Sequence, residues 1–425
     1  MTQKARQSKF KKILQVLGPG LITGAADDDP SGIATYSQVG AQFGFGMLWT
    51  LLLTFPLMST IQEISARIGR TTGRGIAGNM QLHYPHWISI PIVLLLLFAN
   101  LFNLGADILA MGEVTNLLIG GPALLYAGIF TAVSLLLQVF VPYKNYASYL
   151  QWLTLSLFAY VGVIFVVHVP WMETLKGVFF PQISLNAGYL TALVAVLGTT
   201  ISPYLFFWQA GMEVEDVKAK KGDKPLRTSP GQAPSQLLRI RFDTAIGMAA
   251  SNIIAFFIVL TAAVTLHANG ITHIDTAKQA ADALKPVAGK FAFFLFSAGI
   301  IGTGLLALPV LAGSAAYAIG ELFRWPTGMA KKPMKAKRFY GVIAGAMIGG
   351  LLCGLMGMDP IRALFWSAVI NGVTAVPVMV LLMRMSGNKK IMGKFAISTR
   401  MAIVGWFATF VMGAAAIGLI FTFRH

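Results

Sequence analysis

Three consecutive aspartates, Asp27, Asp28 and Asp29, stand before Pro30 in the stretch GAADDDPSGIATYSQ. Apolar sequence flanks them, ILQVLGPGLITGAA on one side and GMLWTLLLTFPLM on the other. A charged side chain deep in a bilayer costs at least ~2.5 kcal/mol on the mildest scale, so a run of carboxylates there requires water or a cation. A second polar interruption, GTTISP, sits within GYLTALVAVLGTTISPYLFFWQA and places Thr199 and Ser202 beside Pro203. The chemistry on offer is oxygen ligation of a metal cation. Asp29 supplies a full negative charge beside a helix break. Asp27 and Asp28 are expected to face an aqueous vestibule, where carboxylates raise the local cation concentration.

Little else in the chain is equipped for chemistry. No nucleophile–base pair and no cofactor motif is present, so the chain reads as a carrier and not as an enzyme, with no cofactor. His83, His86, His168, His267, His273 and His425 fall at span ends or in loops without metal-ligand spacing, and none is assigned a metal. The single cysteine, Cys353, excludes a disulfide framework. GRTTGRG, the only phosphate-loop lookalike, lacks the lysine of a true one and reads as a turn.

The elements that must position the aspartates are membrane helices. The chain of 425 residues is 56% hydrophobic and 12% charged, with a mean hydropathy of +0.69; soluble domains carry about 25% charged residues. A ~30 Å hydrocarbon core needs about 20 residues of helix. Eleven stretches suit: 13–42, 45–67, 88–112, 122–141, 148–169, 188–211, 243–267, 290–319, 340–358, 361–384 and 400–422. Residues 1–12 read as a basic cytosolic tail and not as a cleaved signal. With that tail inside, 27 Lys and Arg fall on the cytosolic side and 6 on the other, as the positive-inside rule requires. The C-terminus is then outside, in a multi-pass protein of the plasma or inner membrane. The net charge of +17 therefore reflects topology and attraction to anionic lipid and calls for no nucleic-acid partner. A functional monomer is expected.

The polar loop 214–241 breaks the chain near its middle, just after span six; five spans precede span six, in 13–169, spans six to ten make a second half, 188–384, and 400–422 is an additional span. Each half opens with a span interrupted at a proline, Pro30 or Pro203. Paired interruptions at corresponding places are the strongest sequence pointer to a transporter site at the membrane midplane. Unwound carbonyls and half-helix C-terminal ends carry partial negative charge and suit a cation. Gln38, Tyr36 and Gln209 lie beyond the breaks as candidate gate or pore-lining groups. Asn103 and Asn371 are polar residues in apolar spans, for which interhelical hydrogen bonding is expected ahead of ion contact.

Residues 18–78 resemble the NRAMP family of divalent-metal transporters. The carriers of the resemblance are the opening GPG, the DP of the first span, AQFGFGMLW, and Q-x-x-SARIG with the following TGR. GADILAMGEVTNLL (105–118) is similar to a third family segment. The resemblance implies an all-α integral membrane protein: eleven transmembrane helices in a LeuT-like 5+5 inverted repeat plus one, with helices 1 and 6 broken mid-membrane. It also implies a metal site. Where the family has DPGN, this chain has DPSG, so Asp29 matches the metal-binding aspartate and Gly32 replaces the asparagine. Where the family places a carbonyl, a methionine thioether and a histidine, Thr199, Ser202 and Tyr204 stand here.

Loss of the thioether hardens the ligand set. Carboxylate, hydroxyl, carbonyl and water suit Mg²⁺, Ca²⁺ and Mn²⁺, and Mg²⁺ commonly keeps several waters. Asp29, Ser31, Gly32, Thr199 and Ser202 are therefore expected to hold a partly hydrated Mg²⁺, with Mn²⁺ also carried, as in the NRAMP-related magnesium transporter branch. Asp27, Asp28, Gln38, Tyr204, Gln209 and Asn371 are the vestibule or gate candidates. Tyr204 replaces the titrating histidine, which leaves Asp107 and Glu113 as a residual proton path and predicts weak or absent proton coupling. Two alternatives stand: a proton-coupled Mn²⁺/Fe²⁺ importer, and an amino-acid transporter of the same fold, whose carboxylate cargo the DDD cluster would repel.

Overall fold

A computed structural model describes residues 19–141, 155–354, 357 and 359–422, all helix and loop with no strand among them. The interrupted first span is α1 (Pro19–Asp27) and α2 (Pro30–Phe43). There follow α3 (Leu48–Thr72), a short α4 (Ile76–His83), α5 (His86–Ile119) and α6 (Ala123–Phe140). The first half ends on α7 (Phe158–Val163), and α8 (Trp171–Phe179) connects onward. The second half begins with another interrupted pair, α9 (Ala187–Thr200) and α10 (Pro203–Ala219), and continues with α11 (Ala233–Thr265). After the small α12 (Ala277–Asp282) come α13 (Ala292–Leu322), α14 (Lys337–Gly354), α15 (Pro360–Gly387) and α16 (Thr399–Thr422).

Both breaks arise from local chemistry. Proline has no amide proton and disfavours helical geometry in the residue before it, while its fixed φ suits the first helical position. Asp29 and Ser202, each preceding a proline, are accordingly extended, at φ −70°, ψ 170° and φ −78°, ψ 128°. The chain leaves one half-helix, takes a short extended step, and starts another.

Seven helical stretches among the described residues are long and apolar enough to cross a membrane by length and composition. Their outer faces carry Phe98, Leu94, Phe140, Phe410 and Phe421, each more than half exposed, as lipid-facing side chains would be. Helix ends depart from the hydropathy reading where charge is buried. α3 runs on to Thr72 because Arg70, fully buried, pairs with Asp223 at 2.7 Å. α11 begins at Ala233 rather than 243 because Arg239 pairs with Glu213 at 2.5 Å. Of the expected span 148–169, residues 148–154 lie outside the described residues, as do the tail 1–12, residues 13–18 and Lys144.

Basic loops gather at one end of the bundle. The Leu226 amide donates to the Arg70 carbonyl, the Arg227 guanidinium to the Ile391 carbonyl, and the Gly75 amide to Glu321. At the opposite end Gln38 meets Thr272 and Arg362 pairs with Asp275.

Close backbone approaches hold the broken helices in place. Gly24 of α1 lies against the backbone of Gly247 on α11, and Gly198 of α9 lies against the Ala368 carbonyl and the Gly372 amide on α15. A methyl at 198 would press on backbone that cannot rotate away. Gly198→Ala is therefore expected to lower thermal stability by about 1–3 kcal/mol as overpacking does, although alanine ordinarily favours a helix over glycine. Gly128→Ala, at a position with nothing within 4 Å, should leave the melting temperature of purified protein unchanged or higher.

Candidate functional site

Asp29 is the hub of the first break. As the N-cap of α2 its Oδ1 accepts from the Gly32 amide at 2.8 Å and from the Ser31 hydroxyl at 2.6 Å. Its Oδ2 accepts from Asn103 Nδ2 of α5 at 3.1 Å and from the Tyr204 hydroxyl of α10 at 3.2 Å. An N-cap carboxylate satisfies orphan amides and faces the positive end of its helix. The side chain is 1% exposed, so these contacts replace its water.

Tyr204 follows the second break directly, so its bond to Asp29 joins the two interruptions. Gly32 joins them again: a Cβ built there would lie 3.1 Å from Thr199 Oγ1 and 3.4 Å from the Tyr36 ring. Gly32 thus contributes space rather than a side-chain ligand, leaving room beside the Thr199 hydroxyl. The Ser202 hydroxyl donates back to the carbonyls of Gly198 and Thr199, at 2.8 and 2.9 Å. It closes the end of α9 and leaves only its lone pairs for anything in the gap.

Asp27 and Asp28 do not face an open vestibule. Asp27 is fully buried and Asp28 is 7% exposed. Both turn toward α11, where the Ser251 hydroxyl donates to Asp27 Oδ2 at 2.6 Å and lies 3.0 Å from Asp28 Oδ1. The cause is the tight seat of α1 on α11, anchored also by the Gly20 amide, which donates to Asp243 at 2.8 Å.

The remaining candidates divide by depth. Gln38 accepts from the Ile274 amide at 2.9 Å and lines a cavity of about 310 Å³ at the end opposite the basic loops, together with Ala34, Thr191, Asp275 and Arg362. Gln209 lies toward the basic end, where its Oε1 accepts from Gln62 at 2.5 Å and its Nε2 donates to Thr244 at 2.9 Å. Fully buried, it fastens α3, α10 and α11 together. Asn371 on α15 is buried, and neither polar atom of its side chain has a partner among the described residues. Asp107 is fully buried within Coulombic reach of Asp29. Glu113, farther along α5, is half-buried with no recorded contact to the break.

Asn103, expected to bond between helices, does so, and its acceptor is Asp29 itself, which makes it a site residue absent from the expected metal set. Its signal was present: it stands one turn before Asp107, on the same face of a helix. Ser251 carried none, being one hydroxyl among many in apolar spans. Among the described residues no group of three His, Cys, Asp or Glu side chains is arranged to hold a metal by itself. A cation at the breaks would therefore rest on fewer than three such side chains, with Asp29 among hydroxyl, amide and carbonyl groups.

Two opposed helix breaks inside a bundle of long apolar helices define a membrane protein of the LeuT-like fold. A family model described as "Natural resistance-associated macrophage protein-like" (Nramp) matches residues 20–422, and the chain belongs to that family. Among its relatives are the divalent metal cation transporter MntH of Yersinia enterocolitica, 26% identical over 409 residues (92% of this chain, 91% of that protein), and the MntH of Klebsiella pneumoniae, 25% identical (92% of this chain, 90% of that protein). In fold it is similar to the manganese transporter of Eremococcus coleocola, with a TM-score of 0.77, 15% identity, and coverage of 97% of this chain and 87% of that one. MhsT in complex with L-phenylalanine is similar at a TM-score of 0.54 with 14% identity, covering 95% of this chain and 97% of that one.

The Ser251 hydroxyl is the only side-chain donor to Asp27 and Asp28 among the described residues. Ser251→Ala should destabilise the protein by about 1–3 kcal/mol, the cost of a buried polar group left unsatisfied. Ser251→Thr, which keeps the hydroxyl, should recover most of the melting temperature.

Proposed function

We propose that this protein carries divalent metal cations across the membrane by alternating access, with Mg²⁺ as its principal cargo and Mn²⁺ also accepted. The observation that carries this reading is the composition of the Asp29 pocket. The side chains and backbone that touch the carboxylate belong to Ser31, Gly32, Asn103 and Tyr204, with Thr199 beside Gly32; none offers sulfur or imidazole. Oxygen ligands favour hard cations. The metal set is Asp29, Ser31 and Thr199, with Ser202 acting through the carbonyls it caps and Gly32 through the space it leaves. That the MntH relatives are divalent metal cation transporters supports the cargo class.

In this proposal 13–169 and 188–384 are the inverted repeats, the basic end is cytosolic, and the chain works as a monomer in the plasma or inner membrane. The cavity by Gln38 then opens outward, and the ties through Gln209 and Arg239 close the cytosolic side. Uptake runs down the concentration gradient and the inside-negative potential, which contributes about 4.6 kcal/mol per 100 mV for a divalent ion. One observation favours a second reading, the proton-coupled Mn²⁺/Fe²⁺ importer: Asp107 is fully buried beside the break, within Coulombic reach of Asp29, the setting of a proton carrier.

Proteoliposome uptake of Mg²⁺, Mn²⁺ and Ca²⁺, with internal pH recorded, separates the two readings. The proposal expects saturable Mg²⁺ uptake, little accompanying acidification, and loss of saturable uptake in Asp29→Asn. Ser202→Met should shift preference toward softer ions. Stoichiometric acidification that disappears in Asp107→Asn would establish the second reading instead.

A further inference from the structure

The basic end of the bundle holds a cavity of about 350 Å³ that the transport reading does not use. Its walls come from the turn after α3, from α4, from α10, and from the end of α13. Arg74, Lys218 and Arg324 line it with Trp325. The guanidinium groups of Arg74 and Arg324 make no ion pair among the described residues. One carboxylate, Glu321, is present, but its two oxygens are occupied by the amides of Gly75 and Gly78, each at 2.9 Å. The cavity therefore presents three cations against one carboxylate that backbone amides already hold.

Arg324 is placed there against its backbone preference. Its φ of +57° is the only positive value at a non-glycine residue among the described residues. The Trp325 amide donates to the Gly320 carbonyl at 2.7 Å and the Arg324 amide to the Glu321 carbonyl at 3.2 Å. That pair of bonds is the Schellman ending of a helix, with Arg324 at the position glycine usually fills. A side chain there is strained, and strain of this kind clusters at ligand clamps. Trp325 next to it forms a stiff wall, stacked on Phe323 at 5.3 Å with the Arg338 guanidinium 5.3 Å over its ring.

We propose that this cavity binds a phosphate-bearing anion. Guanidinium forks and a lysine lining one space suit phosphate oxygens, and the space exceeds what a lone carboxylate fills. The phosphate comes either from a soluble polyphosphate or from an anionic lipid headgroup at the membrane surface. Either one would bridge α10, the continuation of the second break, to the ends of α3 and α13. The inference is independent of which cation is carried.

The test is the melting temperature of the full-length protein, in neutral detergent with inorganic pyrophosphate against sodium chloride of equal ionic strength, and in nanodiscs of phosphatidylglycerol against phosphatidylcholine. A rise of several degrees with pyrophosphate assigns the site to soluble phosphate. A rise with phosphatidylglycerol alone assigns it to lipid. In either case Lys218→Ala should reduce the shift, and Lys389→Ala, on a separate loop, should not. Arg324→Gly is the decisive variant: relieved of strain, it should melt higher than wild type without ligand, yet lose the anion shift. Absence of a shift in both formats, or a full shift retained in Arg324→Gly, overturns the proposal.

Discussion

A backbone that leaves helical geometry at membrane depth must find partners for the polar groups it frees, because lipid supplies none. That constraint organises this molecule around Pro30 and Pro203. The residue before each proline is the one that compensates, in opposite directions. Asp29 caps forward, accepting from the Gly32 amide at the start of α2. Ser202 caps backward, donating to the last carbonyls of α9. Acceptor chemistry is thus concentrated on the first break and donor chemistry on the second. Tyr204 donating to Asp29 is the contact through which the two meet.

Much of this was legible because the interruptions violate the surrounding pattern. Three carboxylates beside a proline in an apolar run admit few explanations, and a second proline break at the matching place in the other half narrows them further. Hydropathy located the long helices for the same reason. It failed where a helix continues past its apolar stretch on buried ion pairs: Arg70 with Asp223 and Arg239 with Glu213 add turns that no hydropathy window registers. Side-chain aim was the other blind spot. α5 carries Asn100, Asn103 and Asn116, and the rotation of that helix decides which one meets Asp29. Asn100 instead bonds to Leu311 and Ser314 of α13. The burial of Asp27 and Asp28 depends likewise on how closely α1 rides on α11, a matter of Gly20 and Gly24, not of the aspartates themselves.

The two ends of the bundle differ in a way that the proposed alternating access requires. Toward the basic loops the helices are stitched by charged and amide groups with little exposure: Gly20 to Asp243, Arg239 to Glu213, Gln62 to Gln209, Gln209 to Thr244. Toward the other end stands the cavity by Gln38, spanned at its rim by the exposed Asp275–Arg362 pair. An exposed pair of that kind contributes on the order of 0–1 kcal/mol. Breaking a buried pair by removing one partner costs roughly 3–5 kcal/mol. Opening the basic end is therefore the costlier movement, and in the proposed cycle it is driven by a change at the breaks, where α1 ends and α10 begins.

The proposed cargo can supply that change through hydrogen-bond polarity. Asp29 is surrounded by donors, which compete with any cation for its oxygens. Among the described residues, two buried acceptors next to that ring lack partners: Asn103 Oδ1 and Asp27 Oδ1. A bare cation would need those oxygens as direct ligands. A hydrated one needs them as acceptors for its water protons, which reach farther and tolerate looser placement. Asn103 is suited to such an exchange, since turning its amide over replaces the donor on Asp29 with an acceptor. An ion that keeps part of its water shell would thereby satisfy acceptors now unsatisfied on α1 and α5 at once. A fully dehydrated ion would satisfy fewer of them, which supports Mg²⁺, with its reluctance to lose water, over softer cations at this site.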